Sequence, residues 1–541
     1  MKTSRIFASL ALVAFFSCSV RAQNAPLAGK SCEALAGVAL PQAKVTSAQS
    51  VAAGAFNPPP TGASTPAALA AFAKSLPAFC RISVEAAPSA DSDIKIEVWL
   101  PATNWNGKFQ GRGNGGFAGQ IDYRPLGIAV AQGYASASTD TGHAGAATDA
   151  KWAIGHPEKV VDFAYRAIHV MTQIAKTLSY AFYGVNPRHS YFVGCSTGGR
   201  QALMEAQRYP ADYDGIIAGA PANYWTHLLS ANIWNTQALT QDPASYIPPR
   251  KIPTISAAVN DACDNLDGVT DGILNDPRQC HFDPAVLLCK NGDADSCLTG
   301  PQITTLKKLY EGAHDSHGRV IFPGFLPGAE TGDNGWPTWI TGSTPTNGLG
   351  YLFTAGFFAD MVYENPDWDI THADLDQAVK TADDKLARTM NATDPDLTSF
   401  KSHGGKLIIF HGWDDPAIPA LNTIDYYSSV IDKMGQQAAG SFVRVFMIPG
   451  MQHCGGGPGT DSFNAAGPAT PMDPQHNMQL AIEQWVEKGA APNSIIAAKI
   501  APRDAGTVMT RPLCPYPRSA KYKGSGDTNS AANFACAINN R

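Results

Sequence analysis

The sequence predicts an α/β protein with a parallel-type sheet covered by helices on both faces and a large loop-rich lid inserted into it. Three observations carry this. Short apolar runs alternate with amphipathic stretches between about residues 94 and 221, the pattern of parallel strands joined by crossover helices. The alternation stops near Asn223, and the chain to about residue 400 is rich in Trp, Pro and Gly. It resumes at Lys406-Leu407-Ile408-Ile409-Phe410, so the middle block reads as an insertion between strands of one sheet. A chain of 541 residues is too long for a single core. The expected division is a leader over 1–22, a catalytic domain over 23–222 and 401–541, and a lid over 223–400.

The leader is read from Lys2 and Arg5, the apolar run from Ile6 to Phe16, and small residues up to a cut after Ala22. That run is too short to span a bilayer. Cys18 offers a lipoprotein anchor as an alternative, which the bulky Phe15-Phe16 disfavour. The mature chain is expected to be secreted or periplasmic and free of the membrane. A formal charge of −6 gives no basic footprint for nucleic acid and no polybasic membrane patch.

Residues 23 to about 90, rich in Ala, Pro and Ser, are expected to wrap the domain edge without regular structure. Ile94–Leu100 alternates as a strand, Lys108-Phe109-Gln110 leads into a glycine-rich loop, and 133–138 reads as a short strand. An amphipathic helix over 157–183 places Val160, Phe163, Ile168, Met171 and Ile174 on one face. Then come the strand Tyr191-Phe192-Val193, a glycine turn, a helix through Gln201–Ala206, and a strand over 214–221. Beyond the lid, 406–412 and 443–450 read as strands and about 475–488 as a helix.

The turn is Gly194-Cys195-Ser196-Thr197-Gly198, Gly-x-Ser-x-Gly between a strand and a helix. Such a turn pushes the serine hydroxyl above the sheet, and the glycines are there because it is too cramped for side chains. A serine needs a base oriented by a carboxylate. In α/β-hydrolases these follow in the order Ser, acid, His. His453, after the 443 strand, occupies the base position, and Asp415 or its neighbour Asp414, after the 406 strand, the acid position; Asp415, nearer the turn before Pro416, is preferred. An oxyanion hole would use the N–H of Thr197 and one from the loop at Gly115-Gly116, with Gly116 the chosen donor. The same loop matches Gly-x-Gly-x-x-Gly at 111, 113 and 116, which opens a dinucleotide reading; a lone match is weak, and an exported chain suits it poorly.

Besides Cys18 there are ten cysteines, an even count that suits a disulfide framework in an exported protein. Proximity suggests Cys263 with Cys280, Cys289 with Cys297, Cys514 with Cys536 and Cys32 with Cys80, although spacing alone does not fix connectivity. Cys195 and Cys454 each adjoin a candidate catalytic residue.

The stretch from Tyr191 to Gln201, followed by Gln207-Arg208-Tyr209-Pro210 and Asp212-Tyr213-Asp214-Gly215, resembles the tannase and feruloyl esterase family, as do His411-Gly412-x-x-Asp415 and His453-Cys454. The resemblance runs from about residue 90 to the C-terminus. It implies an α/β-hydrolase fold, a serine carboxylesterase working through an acyl-enzyme, and a disulfide between Cys195 and Cys454. It also implies calcium in the acidic turn after Asp261, held by carboxylates of Asp264, Asp267 and Asp271 and carbonyls of Val269 and Ile273. Hard oxygen ligands suit that ion, although the spacing is not an EF-hand's. The ion's expected role is structural, and no organic cofactor is expected.

The implied substrates are small aromatic esters, feruloyl or galloyl, free or attached to a plant polymer or tannin. One branch cleaves a terephthalate monoester; with no Arg or Lys between Arg319 and Lys380, the lid disfavours that substrate's free carboxylate. Trp336, Trp339, Tyr351, Phe353, Phe357 and Phe358 are candidate ring contacts, and His411 a candidate pocket residue that would otherwise brace the Asp415 loop. A hydrolase-like fold used only for binding is the alternative from another class.

Overall fold

The computed structural model describes Met1 and residues 29–59, 66–328, 330–463, 471–501 and 506–538. Apart from Met1, the expected leader lies outside the described residues. Nine strands form one sheet: β1 Ala43–Val51, β2 Phe79–Ala86, β3 Ile94–Pro101, β4 Lys108–Arg112, β5 Ala135–Thr139, β6 His189–Cys195, β7 Gly215–Gly219, β8 Lys406–Gly412 and β9 Val443–Ile448. Their spatial order is β1-β2-β3-β5-β4-β6-β7-β8-β9. From β5 to β9 every pairing is parallel. At the other end β1, β2, β3 and β5 pair antiparallel.

Two of those edge strands correct the expectation for residues 23–90. That segment extends the sheet by β1 and β2 instead of wrapping it. In β2 Cys80, Ile82, Val84 and Ala86 are buried while Arg81, Ser83 and Glu85 are half-buried, a period-two pattern. In β1 the period is broken by a bulge between Val45 and Ser47.

The central strands are apolar on both faces because helices cover both. Phe192, Ile216, Ala218, Leu407, Ile409, Val443 and Val445 pack with helix α1, Ala167–Tyr183, and helix α2, Thr197–Arg208. Tyr191, Val193, Ile217, Ile408, Phe446 and Ile448 face the opposite way, toward Ile482 and Trp485 of the helix Met478–Lys488. The helix expected over 157–183 is present, with a widened π-turn at Asp162–Arg166.

Between β7 and β8 no described residue joins the sheet. The segment is less loop-like than its composition suggested: α3, Trp225–Thr240, and α4, Leu349–Gly356, lie in it, as does a 16-residue helix over Leu375–Met390. Five disulfides close the expected pairs: Cys32–Cys80, Cys195–Cys454, Cys263–Cys280, Cys289–Cys297 and Cys514–Cys536.

Candidate active site

Chain order reverses between β4 and β6: the chain leaves β4 for β5 on one side and returns to β6 on the other. Ligands in open α/β sheets bind at such a switch, beyond the carboxyl ends of the strands. Here the glycine loop after β4 and the serine turn after β6 meet. Ser196 has φ 64° and ψ −122°, a left-handed conformation for a non-glycine residue and the strain typical of a nucleophile turn. Its N–H donates to Gly219 O at 3.0 Å and its carbonyl accepts from Arg200 N at 3.0 Å, which fixes the turn between β7 and α2.

The glycines are explained by packing. A Cβ on Gly113 would lie 2.7 Å from Gly198 Cα, and one on Gly194 would lie 2.4 Å from Gly198 O. Gly111 abuts the Tyr213 hydroxyl, 2.2 Å from where its Cβ would be. At least two of the three glycines in Gly-x-Gly-x-x-Gly thus serve contacts within the chain. Gly116 has φ 54°, and its carbonyl accepts from the Thr197 hydroxyl at 2.6 Å. Thr197 and Gly116, the expected oxyanion donors, therefore stand side by side, and Thr197 opens α2, where the first N–H groups have no intrahelical partner.

Asp415 is fully buried. Its Oδ2 accepts from His453 Nδ1 at 2.8 Å and His411 Nε2 at 3.1 Å, and its Oδ1 from the N–H groups of Ala417 and Ile418 at 2.8 and 2.9 Å. Burial alone would raise its pKa; the charge of His453 and the hydrogen bonds from both histidines outweigh that and hold it well below the carboxylate range. Of the two acid candidates, Asp415 is the one that meets His453. Asp414 faces Gly328, where its Oδ1 would lie 1.9 Å from an added Cβ.

The Cys195–Cys454 bond, with Cα atoms 6.1 Å apart across 259 residues, brings the His453 loop to the Ser196 turn. His453 Nε2 lies 3.7 Å from the Cys454 sulfur, on the side of the ring away from Asp415. Such a tie holds two distant loops in one geometry, as a preorganised site requires. His411 differs from the expectation. It is fully buried and does not line the cavity; its Nδ1 meets Thr423 Oγ1 at 2.7 Å and its Nε2 is shared between Asp415 and Ile418 O. It braces Asp415 from behind.

Ser196, Thr197, Gly116 and His453 open into a cavity of about 720 Å³. Of the six candidate ring contacts, Trp339 and Phe353 line it, whereas Trp336, Phe357 and Phe358 are buried core and Tyr351 packs against the cluster of the two phenylalanines. One wall was not anticipated: Trp225, Leu228, Leu229 and Asn232, a single face of α3 at helical spacing. Behind it Arg200 is fully buried, its guanidinium 4.7 Å from both the Phe163 and the Trp225 ring centroids and donating to carbonyls of the π-turn. Burial pushes its pKa down to about 9. No Lys or Arg lines the cavity among the described residues.

The acidic turn lies elsewhere, against Met447, Pro449 and Arg511, around a cavity of about 30 Å³ lined by Asp267, Val269, Asp271 and Ile273. Asp264 is turned inward, accepting from Gly272 N at 2.9 Å and Ile273 N at 3.2 Å. Asp271 Oδ2 accepts from Arg511 at 2.5 Å. The other two carboxylates are engaged by the loop as well, Asp267 Oδ1 accepting from Val269 N at 2.9 Å and Asp271 Oδ1 from Ile273 N at 3.2 Å, and among the described residues no three His, Cys, Asp or Glu side chains converge on one point. The turn offers oxygen groups alone, carboxylates of Asp264, Asp267 and Asp271 and carbonyls of Val269 and Ile273, the donor chemistry of a hard cation. Burial, then the charges of Asp271 and Asp264, push Asp267 up to about 6.

The chain matches a model of tannases and feruloyl esterases over residues 80–537. It is 41% identical to an uncharacterized esterase of Xanthomonas campestris pv. campestris, across 94% of this chain and 91% of that one. It is 34% identical to a probable feruloyl esterase B-2 of Aspergillus terreus, across 88% and 90%. Among solved structures, feruloyl esterase B from Aspergillus oryzae superposes with a TM-score of 0.84 at 30% identity, covering 94% of this chain and 99% of its own.

Proposed function

Because the chain belongs to the tannase and feruloyl esterase family, we propose that it is an exported serine esterase that hydrolyses esters of phenolic acids such as ferulate or gallate. The observation that carries this is the Asp415–His453 hydrogen bond, with His453 tied through the Cys195–Cys454 bond to the strained Ser196 turn and both residues lining a largely apolar cavity. In this reading Ser196 Oγ attacks the acyl carbon while His453 Nε2 takes its proton. The N–H groups of Thr197 and Gly116 receive the oxyanion. Collapse expels the alcohol, protonated by His453, and water repeats the sequence on the acyl-enzyme. Asp415 holds the Nδ1–H and stabilises the imidazolium.

The absence of Lys and Arg from the cavity lining favours a neutral phenolic ring over a terephthalate monoester. Export is supported by the leader-like N-terminus and five disulfides. No described helix is long and apolar enough to cross a membrane. A calcium ion held by Asp264, Asp267 and Asp271 and the carbonyls of Val269 and Ile273 would cross-brace the acidic turn and supply charge there, away from the ester.

The test is turnover of methyl ferulate, methyl gallate and mono(2-hydroxyethyl) terephthalate by the wild type and Ser196→Ala. Loss of a nucleophilic serine costs on the order of 10⁶ in kcat. Hydrolysis that survives the substitution disproves the nucleophile, and binding without turnover by the wild type would leave the binding-protein reading.

A further inference from the structure

The loop that carries His453 is poorly suited to hold itself still. Cys454 has φ 60°, and Gly455, Gly456 and Gly457 follow, all with positive φ. Three successive glycines leave a backbone with wide conformational freedom. The disulfide fixes its beginning. Its far end is held within the catalytic domain, where Gly456 N donates to Asp461 Oδ2 at 2.9 Å and Gly457 O accepts from Lys499 Nζ at 2.8 Å; the stretch at Gln452, His453 and Gly455 is held from the lid.

Residues 330–339 lie along this loop. Gln452 Nε2 donates to Thr331 O at 2.6 Å. Asn334 Nδ2 donates to His453 O at 2.8 Å and to Gly455 O at 3.1 Å, while its Oδ1 accepts the Trp339 indole N–H at 2.8 Å. The Trp339 ring stands edge-on to the His453 imidazole, centroids 4.9 Å apart and planes at 72°, and stacks on Phe353 at 6.2 Å. Both aromatic rings line the cavity.

We propose that Asn334 is a positioning residue: it joins the ring that a bound aromatic acyl group would touch to the backbone of the catalytic base. An amide is suited to this because it carries two donors and an acceptor on one planar group. Asp would lose the donors and Leu both functions. An acyl group filling the cavity against Trp339 thereby restrains the His453 loop, so that part of its binding free energy appears in kcat instead of KM. This rests on His453 being the base of the proposed esterase.

The experiment measures kcat, KM and Tm on methyl ferulate for Asn334→Ala, Trp339→Phe and the double variant. A displacement of the base by a fraction of an ångström predicts about a tenfold lower kcat for Asn334→Ala, with KM within about twofold. Trp339→Phe keeps a ring in the wall but releases the indole bond, and is expected to lose about threefold in kcat. The indole bond acts through Asn334, whereas a phenyl ring retained at 339 keeps the contact with His453 and the cavity wall; the double variant should therefore be no slower than Asn334→Ala, a non-additivity that independent structural damage would not give. An unchanged kcat in Asn334→Ala, or losses that multiply, overturns the proposal. Should Asn334→Ala fail to fold, Asn334→Asp preserves the shape and the indole acceptor while removing both donations, and the same loss of kcat is expected; wild-type kcat there refutes the role. If Ser196→Ala retains turnover the esterase reading itself fails; if it is dead and Asn334→Ala is as fast as wild type, only this inference does.

Discussion

Two acidic loops of this chain treat their carboxylates in opposite ways. Asp415 is entirely buried, yet two imidazoles and two backbone N–H groups converge on it and it is held well below the carboxylate range. Asp267 is only partly buried and has backbone donors alone, from Val269 and Asn275, with two other carboxylates nearby; it is pushed up to about 6. Depth of burial therefore does not rank the two. The number and charge of the donors does. The Asp415 loop is electrostatically complete, whereas the turn at 264–273 retains negative charge that a cation would match.

The sharpest way to break the contrast is to remove the charge that the first loop is built to hold. Asp415→Asn keeps the size of the side chain but cannot accept from both histidines and orient His453 as before. By the precedent of triad aspartates, kcat should fall roughly 10⁴-fold. Asp414→Asn, on a side chain that does not meet His453, should stay within about threefold, the range of an ordinary substitution away from the reacting groups. Steady-state kinetics on methyl ferulate with Tm as a control decides this, and equal losses from the two would undo the assignment.

What was legible follows from how local each signal is. The Ser196 turn shows in the sequence because strand, glycines and helix are contiguous, and Asp415 and His453 because each follows an apolar strand in a fixed order. The alternation Cys80, Ile82, Val84, Ala86 was equally present in the sequence, but its Ala- and Ser-rich surroundings disguised it, and the bulge in β1 broke the period that would have revealed its partner. The cavity face of α3 has helical spacing but no chemistry to single it out. Asn334 is beyond local reading altogether: its role exists only once the lid lies against a loop 119 residues away. His411, close to the acid in sequence, is open to two roles, pocket residue or brace. Its alternative role as a brace was the one realised, since a strand residue facing Thr423 points into the core.

A smaller effect is expected from His411→Gln, which removes one of the two imidazoles that meet Asp415 and moves it toward the condition of Asp267. Loss of a buried, charge-assisted hydrogen bond should cost about 1.5–3 kcal/mol. Because the Asp415 pKa is depressed in the fold, its stabilising contribution is present above the ordinary value of 3.8 and is lost as pH falls through the folded value. Weakening the depression should therefore shift acid unfolding to higher pH. An acid transition at wild-type pH would mean that His453 and the backbone suffice.

The smallest expected effect belongs to the second loop, where the sign is reversed. The Asp267 pKa lies above its ordinary 3.8, at about 6, so the advantage of the folded state is full below about 3.8 and is lost as pH rises through 6. In chelator, Tm should thus decline across that window by a few degrees more than in Asp267→Asn, a neutral side chain of the same shape that has no charge to lose. Calcium at pH 7 should return about 3 °C to the wild type, because a ligand that binds only the folded state stabilises it. It should return clearly less to the Asn variant if Asp267 is a ligand, because an amide oxygen can still bind but without the charge. Thermal unfolding at pH 4, 5, 6 and 7, with and without calcium, separates these terms. A wild-type Tm indifferent to calcium at pH 7 would leave the loop as an acidic turn whose charge water alone screens, and a calcium response undiminished in Asp267→Asn would move the ion to other oxygens. In either case catalysis should change far less than stability, since the ion's proposed ligands supply no group to the ester.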